Sequence, residues 1–166
     1  IRTKDAKSAM ADADYVITTF RVGGMEARII DERVPLSLGC LGQETTGAGG
    51  FAMGMRSIPV LLGYVEVMHR VCPRAWLINF ANPSGMLAEA AQRVGGWERT
   101  VGICDAPASM LHLAAALLQV PTDEVFLDYF GLNHLGWVRS VVYREKDYLP
   151  DFIQMLRNAG RSTILP

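Results

Sequence analysis

Two short stretches carry side chains able to grip a metal ion. Cys104 closes the apolar run Thr100-Val101-Gly102-Ile103 and is followed at once by Asp105, while His134 sits in the Gly-rich turn Gly131-Leu132-Asn133-His134-Leu135-Gly136. Alone, the cysteine is a small core hydrophobe and the histidine a satisfied core group. Together, one at a strand end and one in a loop, where function concentrates, they suggest a two-ligand site open to substrate. By softness, a thiolate with an imidazole favours zinc or iron over manganese or magnesium, and spacing does not choose among them. Arg21, Arg28 and Arg56 are surface charges by default, yet a guanidinium fork matches a phosphate or carboxylate and so admits a small anionic substrate. Asn82-Pro83 is a turn, or else an asparagine placed to hold a sugar hydroxyl or a nicotinamide. Glu44 is the one carboxylate in Gln43-Glu44-Thr45-Thr46-Gly47-Ala48-Gly49-Gly50. That stretch reads as a flexible connector or a backbone cradle; it lacks the Gly-x-x-x-x-Gly-Lys spacing, which excludes a P-loop. His69 and His112 fall on helix faces and receive no role.

The elements that must hold these groups alternate. Tyr15–Phe20 is a β-branched and aromatic run, read as a strand buried on both faces of a parallel sheet and ending at Gly23-Gly24. A polar, Gly-rich passage from Gly39 to Gly50 leads to a crossover helix over Ile58–Met68, with Pro59 near its start. Ala75–Phe80 is a second buried strand, Met86–Val94 a helix, and Thr100–Cys104 a third strand. This is the grammar of a doubly wound α/β sheet, in which ligands bind where strand C-termini meet helix N-termini. From Ala106 the rhythm changes, with a helix through Leu118, a strand over Glu124–Phe130 and the Gly-rich turn. The expected division is therefore 1–105, the later part of a Rossmann-like domain, and 106–166, the start of a second, α+β domain. The Gly-x-Gly-x-x-Gly turn of a dinucleotide fold is absent and is expected upstream of Ile1. The sequence opens without an initiator Met, inside a helical pattern, and ends on Ile164-Leu165-Pro166, so it reads as an internal segment of a longer protein.

Composition narrows the class. The 166 residues are 50% hydrophobic and 20% charged, which excludes disorder as the main state. A net charge of -1 offers no field for a polyphosphate backbone, so a dedicated nucleic-acid binder is not expected. Apolar stretches such as Ile58–Gly63 fall short of the roughly 20 residues of a membrane span, and no signal-peptide layout is seen. Three dispersed cysteines, Cys40, Cys72 and Cys104, fit neither a zinc ribbon nor a disulfide scaffold; a soluble protein of the reducing cytoplasm is expected.

In order along the chain stand Phe20-Arg21-Val22-Gly23-Gly24, Ala27-Arg28 with Asp31-Glu32, Pro35-Leu36, Gly42 to Gly50, and Arg56-Ser57-Ile58-Pro59. Then follow Asn79-Phe80-Ala81-Asn82-Pro83-Ser84-Gly85, Gly102-Ile103-Cys104-Asp105-Ala106-Pro107 and Gly131-Leu132-Asn133-His134. These blocks resemble glycoside hydrolase family four and cover about residues 12 to 138. The resemblance implies a lactate-dehydrogenase-like NAD domain followed by a mixed α+β catalytic domain. It also implies an NAD-dependent reaction outside the usual two-carboxylate scheme. Hydride leaves C3 of the sugar, the C2 proton becomes acidic, the C1 substituent is eliminated, water adds, and the hydride returns. By motif match Cys104 and His134 would be the metal ligands; Arg28, Glu44, Asn82 and Asn133 would contact substrate; Thr19, Phe20 and Arg21 would line the cofactor side. Family members use manganese, and the resemblance outweighs the softness argument because an open site borrowing hard oxygens from substrate takes a hard ion. The C2 base, a tyrosine in the family, is expected in a later segment and is not assigned to Tyr129, Tyr143 or Tyr148.

Most blocks resemble the 6-phospho-β-glucosidase branch. Asp105 dissents: it is similar to the 6-phospho-α-glucosidases, where a carboxylic acid protonates the leaving oxygen. The expected activity is thus hydrolysis of a phosphorylated glucoside or disaccharide by a homo-oligomer, dimer or tetramer, with the 166-residue piece inactive by itself. The competing readings are the α-specific enzyme, a lactate/malate-dehydrogenase-like oxidoreductase that releases NADH, and a non-catalytic nucleotide-binding module.

Overall fold

The computed structural model describes residues 2–163, and it divides into two compact units between Cys104 and Asp105. In the first, α1 (Ala6–Met10) is capped by the Asp5 carboxylate, which accepts from the Lys7 and Ser8 amides. There follow β1 (Tyr15–Thr18), α2 (Gly24–Ser37), α3 (Gly47–Val71), β2 (Trp76–Asn79), α4 (Ser84–Arg93) and β3 (Thr100–Gly102). The strands are parallel in the order β1-β2-β3, with Thr18 level with Asn79 and Asn79 level with Gly102. The three C-terminal ends thus lie side by side.

The expected burial of the first strand on both faces is not what forms. Val16 and Thr18 are buried, whereas Tyr15 and Ile17 are more than 60% exposed. Buried Leu77 and Asn79 share the face of Val16 and Thr18, and Trp76 points the other way. The apolar core therefore lies on one face, built from Leu61, Val65, Met68, Leu77, Leu87 and Trp97. Full burial of each such leucine contributes about 1.5–3 kcal/mol.

Two further expectations are corrected. The crossover helix begins at Gly47, not near Ile58, so Pro59 lies inside it. At 25 residues α3 is also long and apolar enough, on those criteria alone, to cross a membrane. Its Met53, Leu61, Val65 and Met68 are buried, which makes it the spine of the unit. A further helix, α2, fills a stretch to which the sequence pattern assigned no element. It is fastened to α3 by a fork: Arg56 Nη1 donates to Asp31 Oδ1 at 2.9 Å and Nη2 donates to Oδ2. Asp31 is buried, while the Arg56 side chain is about a third exposed. Arg56→Met should therefore cost more, about 2–3 kcal/mol, than Asp31→Asn, which strands only a partly hydrated guanidinium. Urea unfolding of the two variants measures the order, and a larger loss for Asp31→Asn would contradict it.

The second unit comprises α5 (Ala106–Leu118), a 3-10 turn at Thr122–Glu124, β4 (Val125–Leu132), β5 (Leu135–Tyr143), β6 (Lys146–Asp147) and α6 (Leu149–Thr163). Its sheet is antiparallel, β4-β5-β6, with a register slip at Asp128/Tyr129. Ala114, Ala115, Val125, Val141 and Phe152 form its core.

Candidate active site

The groups that follow β1 and β2 converge on one carboxylate. After β1 the chain runs through Thr19, Phe20 and Arg21 and turns at Gly23 (φ 82°) into α2. A Cβ on Gly23 would come within 2.5 Å of the Ala27 Cβ, so both conformation and space require glycine there. One turn into α2 stands Arg28. The segment before α3 is folded by Gln43, whose Oε1 accepts from the Thr45 and Thr46 amides, the latter at 2.8 Å. This segment lies directly on the first turn of α3. A Cβ on Gly49 would be 2.3 Å from the Gln43 carbonyl oxygen, and one on Gly50 would be 2.2 Å from that of Thr45. These two glycines therefore serve close backbone approach inside a helix, neither as a flexible connector nor as a phosphate cradle.

Glu44 is presented by that packing with its side chain 8% exposed. Its Oε1 accepts from Asn82 Nδ2 at 2.8 Å and from Arg21 Nη2 at 3.2 Å. Its Oε2 lies 2.7 Å from Arg28 Nη1 and 3.1 Å from Arg21 Nη1. Arg28 Nε donates in turn to Glu32 Oε1 at 2.7 Å. The Arg21 Nη1 contact is ionic in distance but lacks hydrogen-bond alignment, so this buried nitrogen has no hydrogen-bond partner. Burial works to raise the Glu44 pKa. The hydrogen bonds from Asn82 and Arg21 and the charges of Arg21 and Arg28 outweigh it, holding the carboxyl below the usual glutamate range. With Glu32 included, two positive and two negative charges balance, leaving a neutral cluster rich in hydrogen-bonding groups.

Four residues expected at the site are thus brought together: Arg28, Glu44 and Asn82, and also Arg21, which was assigned to the cofactor side. Thr19 and Phe20 instead line a cleft of about 270 Å³ along β1, with Met10, Ile17 and Tyr64 among its walls. The Phe20 ring packs 6.0 Å from that of Tyr64. Cys104, half-buried, follows β3 two residues beyond its end.

The remaining candidates lie in the second unit. Asp105 is exposed and occupies the N-cap position of α5. Asn133 and His134 form the two-residue turn between the paired Leu132 and Leu135 of the β4–β5 hairpin. His134 is exposed with φ 56°, a left-handed conformation in which histidine is enriched among non-glycine residues. Asn133 Oδ1 is buried without a hydrogen-bond partner, an acceptor suited to a substrate hydroxyl. Among the described residues no three or more His, Cys, Asp or Glu side chains gather into a metal cluster. Sequence reasoning missed the Asp31–Arg56 fork and the buried polar residues Thr18, Asn79 and Ser84. The available signal for Asn79 was its core-facing parity with Leu77 in an otherwise apolar strand.

Known proteins share this fold. The chain is 42% identical over 153 residues to the 6-phospho-beta-glucosidase of Escherichia coli K12, covering 92% of this chain and 34% of that protein. It superimposes with a TM-score of 0.82 and 36% identity on a 6-phospho-alpha-glucosidase from gut microorganisms in complex with NAD and Mn²⁺, covering 94% of this chain and 36% of that one. With a TM-score of 0.81 and 35% identity it matches the 6-phospho-beta-glucosidase of Thermotoga maritima with manganese, NAD⁺ and glucose-6-phosphate, over 94% of this chain and 39% of that one. The chain thus spans little more than a third of the length of these relatives. The family profile for family 4 glycosyl hydrolases matches residues 1–120. With the parallel sheet, the Glu44 cluster and this match in hand, the chain belongs to family 4 of the glycosyl hydrolases.

Proposed function

We propose that the protein containing this chain is a cytoplasmic, NAD- and Mn²⁺-dependent 6-phospho-β-glucosidase acting as a homo-oligomer. The observation that carries the reading is the gathering of Arg21, Arg28 and Asn82 on the buried Glu44 at the C-terminal end of a parallel sheet. An α/β sheet of this kind places its ligands at that end.

Arg28, Glu44, Asn82 and Asn133 are assigned to the sugar. Glu44 accepts from a ring hydroxyl, and the Asn82 amide keeps the carboxylate turned toward it. Arg28 stands among these four already paired with Glu44 and Glu32, and it holds Glu44 in place. Thr19, Phe20 and Arg21 are assigned to the cofactor side, Arg21 being at the same time ion-paired to Glu44. Cys104 and His134 are assigned as the metal ligands, and their sulfur and imidazole chemistry suits a divalent ion whose other ligands are oxygens. When bound, NAD accepts and returns a hydride and the ion polarises sugar oxygens. Asp105, exposed at the head of α5, is assigned as the catalytic acid for the departing oxygen, the role that the resemblance gives to it in the α-specific branch. The domain assignments, an NAD-binding part through residue 105 and a catalytic part from 106, belong to the same proposal.

The 42% identity to the E. coli β enzyme against 38% to a phospho-alpha-glucosidase of Clostridium acetobutylicum supports the β assignment, while the α and β structures, at 36% and 35%, do not choose. Asp105 favours the α-specific alternative, and rates on paired α- and β-6-phosphoglucosides separate the two. The test of the reaction class is turnover of a 6-phospho-β-glucoside by the full-length enzyme in D₂O. Deuterium is expected at C2 of the released sugar phosphate, with no net growth of reduced nicotinamide. A product without deuterium would point to ordinary acid/base hydrolysis, and accumulating NADH with a 2-hydroxy acid to a dehydrogenase.

A further inference from the structure

We propose that Thr18, Asn79 and Ser84 form a positioning network that levels the three strand ends, holding Asn82 on Glu44 and fixing the backbone that leads into Cys104. The proposal deepens the reading above, from which it takes Asn82 and Cys104 as ligand-holding residues.

Thr18 ends β1 and Asn79 ends β2, directly opposite each other, and Ser84 opens α4. All three are buried, Asn79 completely. Thr18 Oγ1 donates to Asn79 Oδ1 at 2.8 Å, and the Ala81 amide donates to the same oxygen at 3.3 Å. Asn79 Nδ2 donates to the Ala81 carbonyl at 2.9 Å and to that of Ser84 at 3.4 Å. One side of the amide faces carbonyl oxygens and the other an N–H, so its orientation follows from chemistry. Both of its N–H groups and both oxygen lone pairs are engaged. Asn79 therefore has no capacity left for a substrate.

The network closes a ring around residues 81–84, and Asn82, which reaches Glu44, lies within that ring. It also extends to the third strand. The Ser84 hydroxyl lies 3.3 Å from the Asn79 carbonyl oxygen and 3.3 Å from that of Ile103, while the Ile103 amide donates to Asn79 O at 2.9 Å. Ile103 immediately precedes Cys104. Gly102 leaves room for this bridge, since a Cβ there would sit 2.8 Å from Ser84 Oγ. Apolar residues at these core-facing positions would avoid the desolvation cost of buried polar groups. What they could not do is join three strand ends at fixed spacing.

The test uses the full-length enzyme carrying Thr18→Val, Thr18→Ser or Ser84→Ala, with the apolar core variant Leu87→Ala as control. Amide hydrogen exchange of residues 80–82, 84 and 103–104, read without metal or substrate, should rise about tenfold in Thr18→Val and Ser84→Ala beyond any global loss of stability. Thr18→Ser, which keeps the hydroxyl, should restore wild-type protection. Leu87→Ala should lower Tm at least as much without that local signature. Mn²⁺ affinity, from titration of the free ion by electron paramagnetic resonance, should weaken about tenfold in Ser84→Ala and stay within about twofold in Leu87→Ala. Exchange that rises uniformly in the polar variants, or local loosening with unchanged Mn²⁺ affinity, overturns the proposal. A wild-type enzyme without Mn²⁺ binding or C2 exchange sinks the functional reading instead, and the exchange pattern still decides the network.

Discussion

Glu44→Gln is expected to lower kcat/KM of the full-length enzyme about a hundredfold, ~2.7 kcal/mol of lost transition-state binding. The substitution preserves size and leaves an acceptor for Asn82. It removes the charge that draws Arg21 and Arg28 together, and it turns an amide N–H toward the nitrogen now 2.7 Å from Oε2. Arg28 keeps Glu32 as its partner, but one positive charge is left without its counter-charge, and Arg21, which has Glu44 as its carboxylate partner, is expected to swing toward solvent. Steady-state kinetics measure the effect, and a change of less than about threefold would mean that Glu44 only packs. The same carboxylate predicts a pH dependence. Its folded-state pKa is depressed, so its contribution to stability is fully present above the ordinary glutamate pKa. That contribution is lost as pH falls through the lower, folded-state value. The stability gap between wild type and Glu44→Gln should therefore be constant near neutrality and shrink in acid; a gap that widens in acid would contradict the assignment.

Cys104→Ser and His134→Ala are each expected to weaken Mn²⁺ binding by at least about a hundredfold, beyond what residues acting behind a ligand typically cost. Activity should fall with the metal, by about a thousandfold or more. If the two residues serve one ion, the double variant should be little worse than the poorer single variant, because residues acting as a unit are not additive. Cys72→Ser and Cys40→Ser provide controls. Burial and the charge of Asp12 push the Cys72 thiol up, which makes it a poor ligand, and Cys40 is exposed beyond α2. Metal titration and kinetics on the five variants, the double one included, check the set, and additive losses from Cys104 and His134 would separate their roles.

The strand–helix alternation was legible because short apolar runs bounded by turn residues, read as strands over Ala75–Phe80 and Thr100–Cys104, do form strands, at Trp76–Asn79 and Thr100–Gly102. Helix α5 was legible to the residue, with Pro107 near its start and an apolar run to Leu118. What escaped were elements whose residues contradict local propensity. Gly49 and Gly50 disfavour a helix in isolation, yet the packing of Gln43 and Thr45 against their bare Cα atoms makes glycine necessary in the first turn of α3. Helix α2 has Pro35 inside it and exposes Ile29, Ile30 and Val34, so no clean apolar stripe announced it.

The site divides along the same line. Arg28, Glu44 and Asn82 could be singled out because each follows a strand or sits in an unusual loop, but their common contact at Glu44 required the register of β1 against β2. Arg21 was singled out as well and assigned to the cofactor. Its place on Glu44 depends on how tightly Gly23 bends the chain. Thr18, Asn79 and Ser84 are silent in sequence, since a polar residue in a strand names no partner until its neighbour is known.

The central claim is that a single divalent ion is held jointly by one sulfur and one imidazole of this chain. Manganese-edge X-ray absorption on the full-length protein loaded with one Mn²⁺ per chain measures that directly. The account predicts a shell containing one sulfur and one imidazole nitrogen among oxygens, with the sulfur lost in Cys104→Ser and the imidazole lost in His134→Ala. A shell of oxygen and nitrogen alone, unchanged by either substitution, would contradict it.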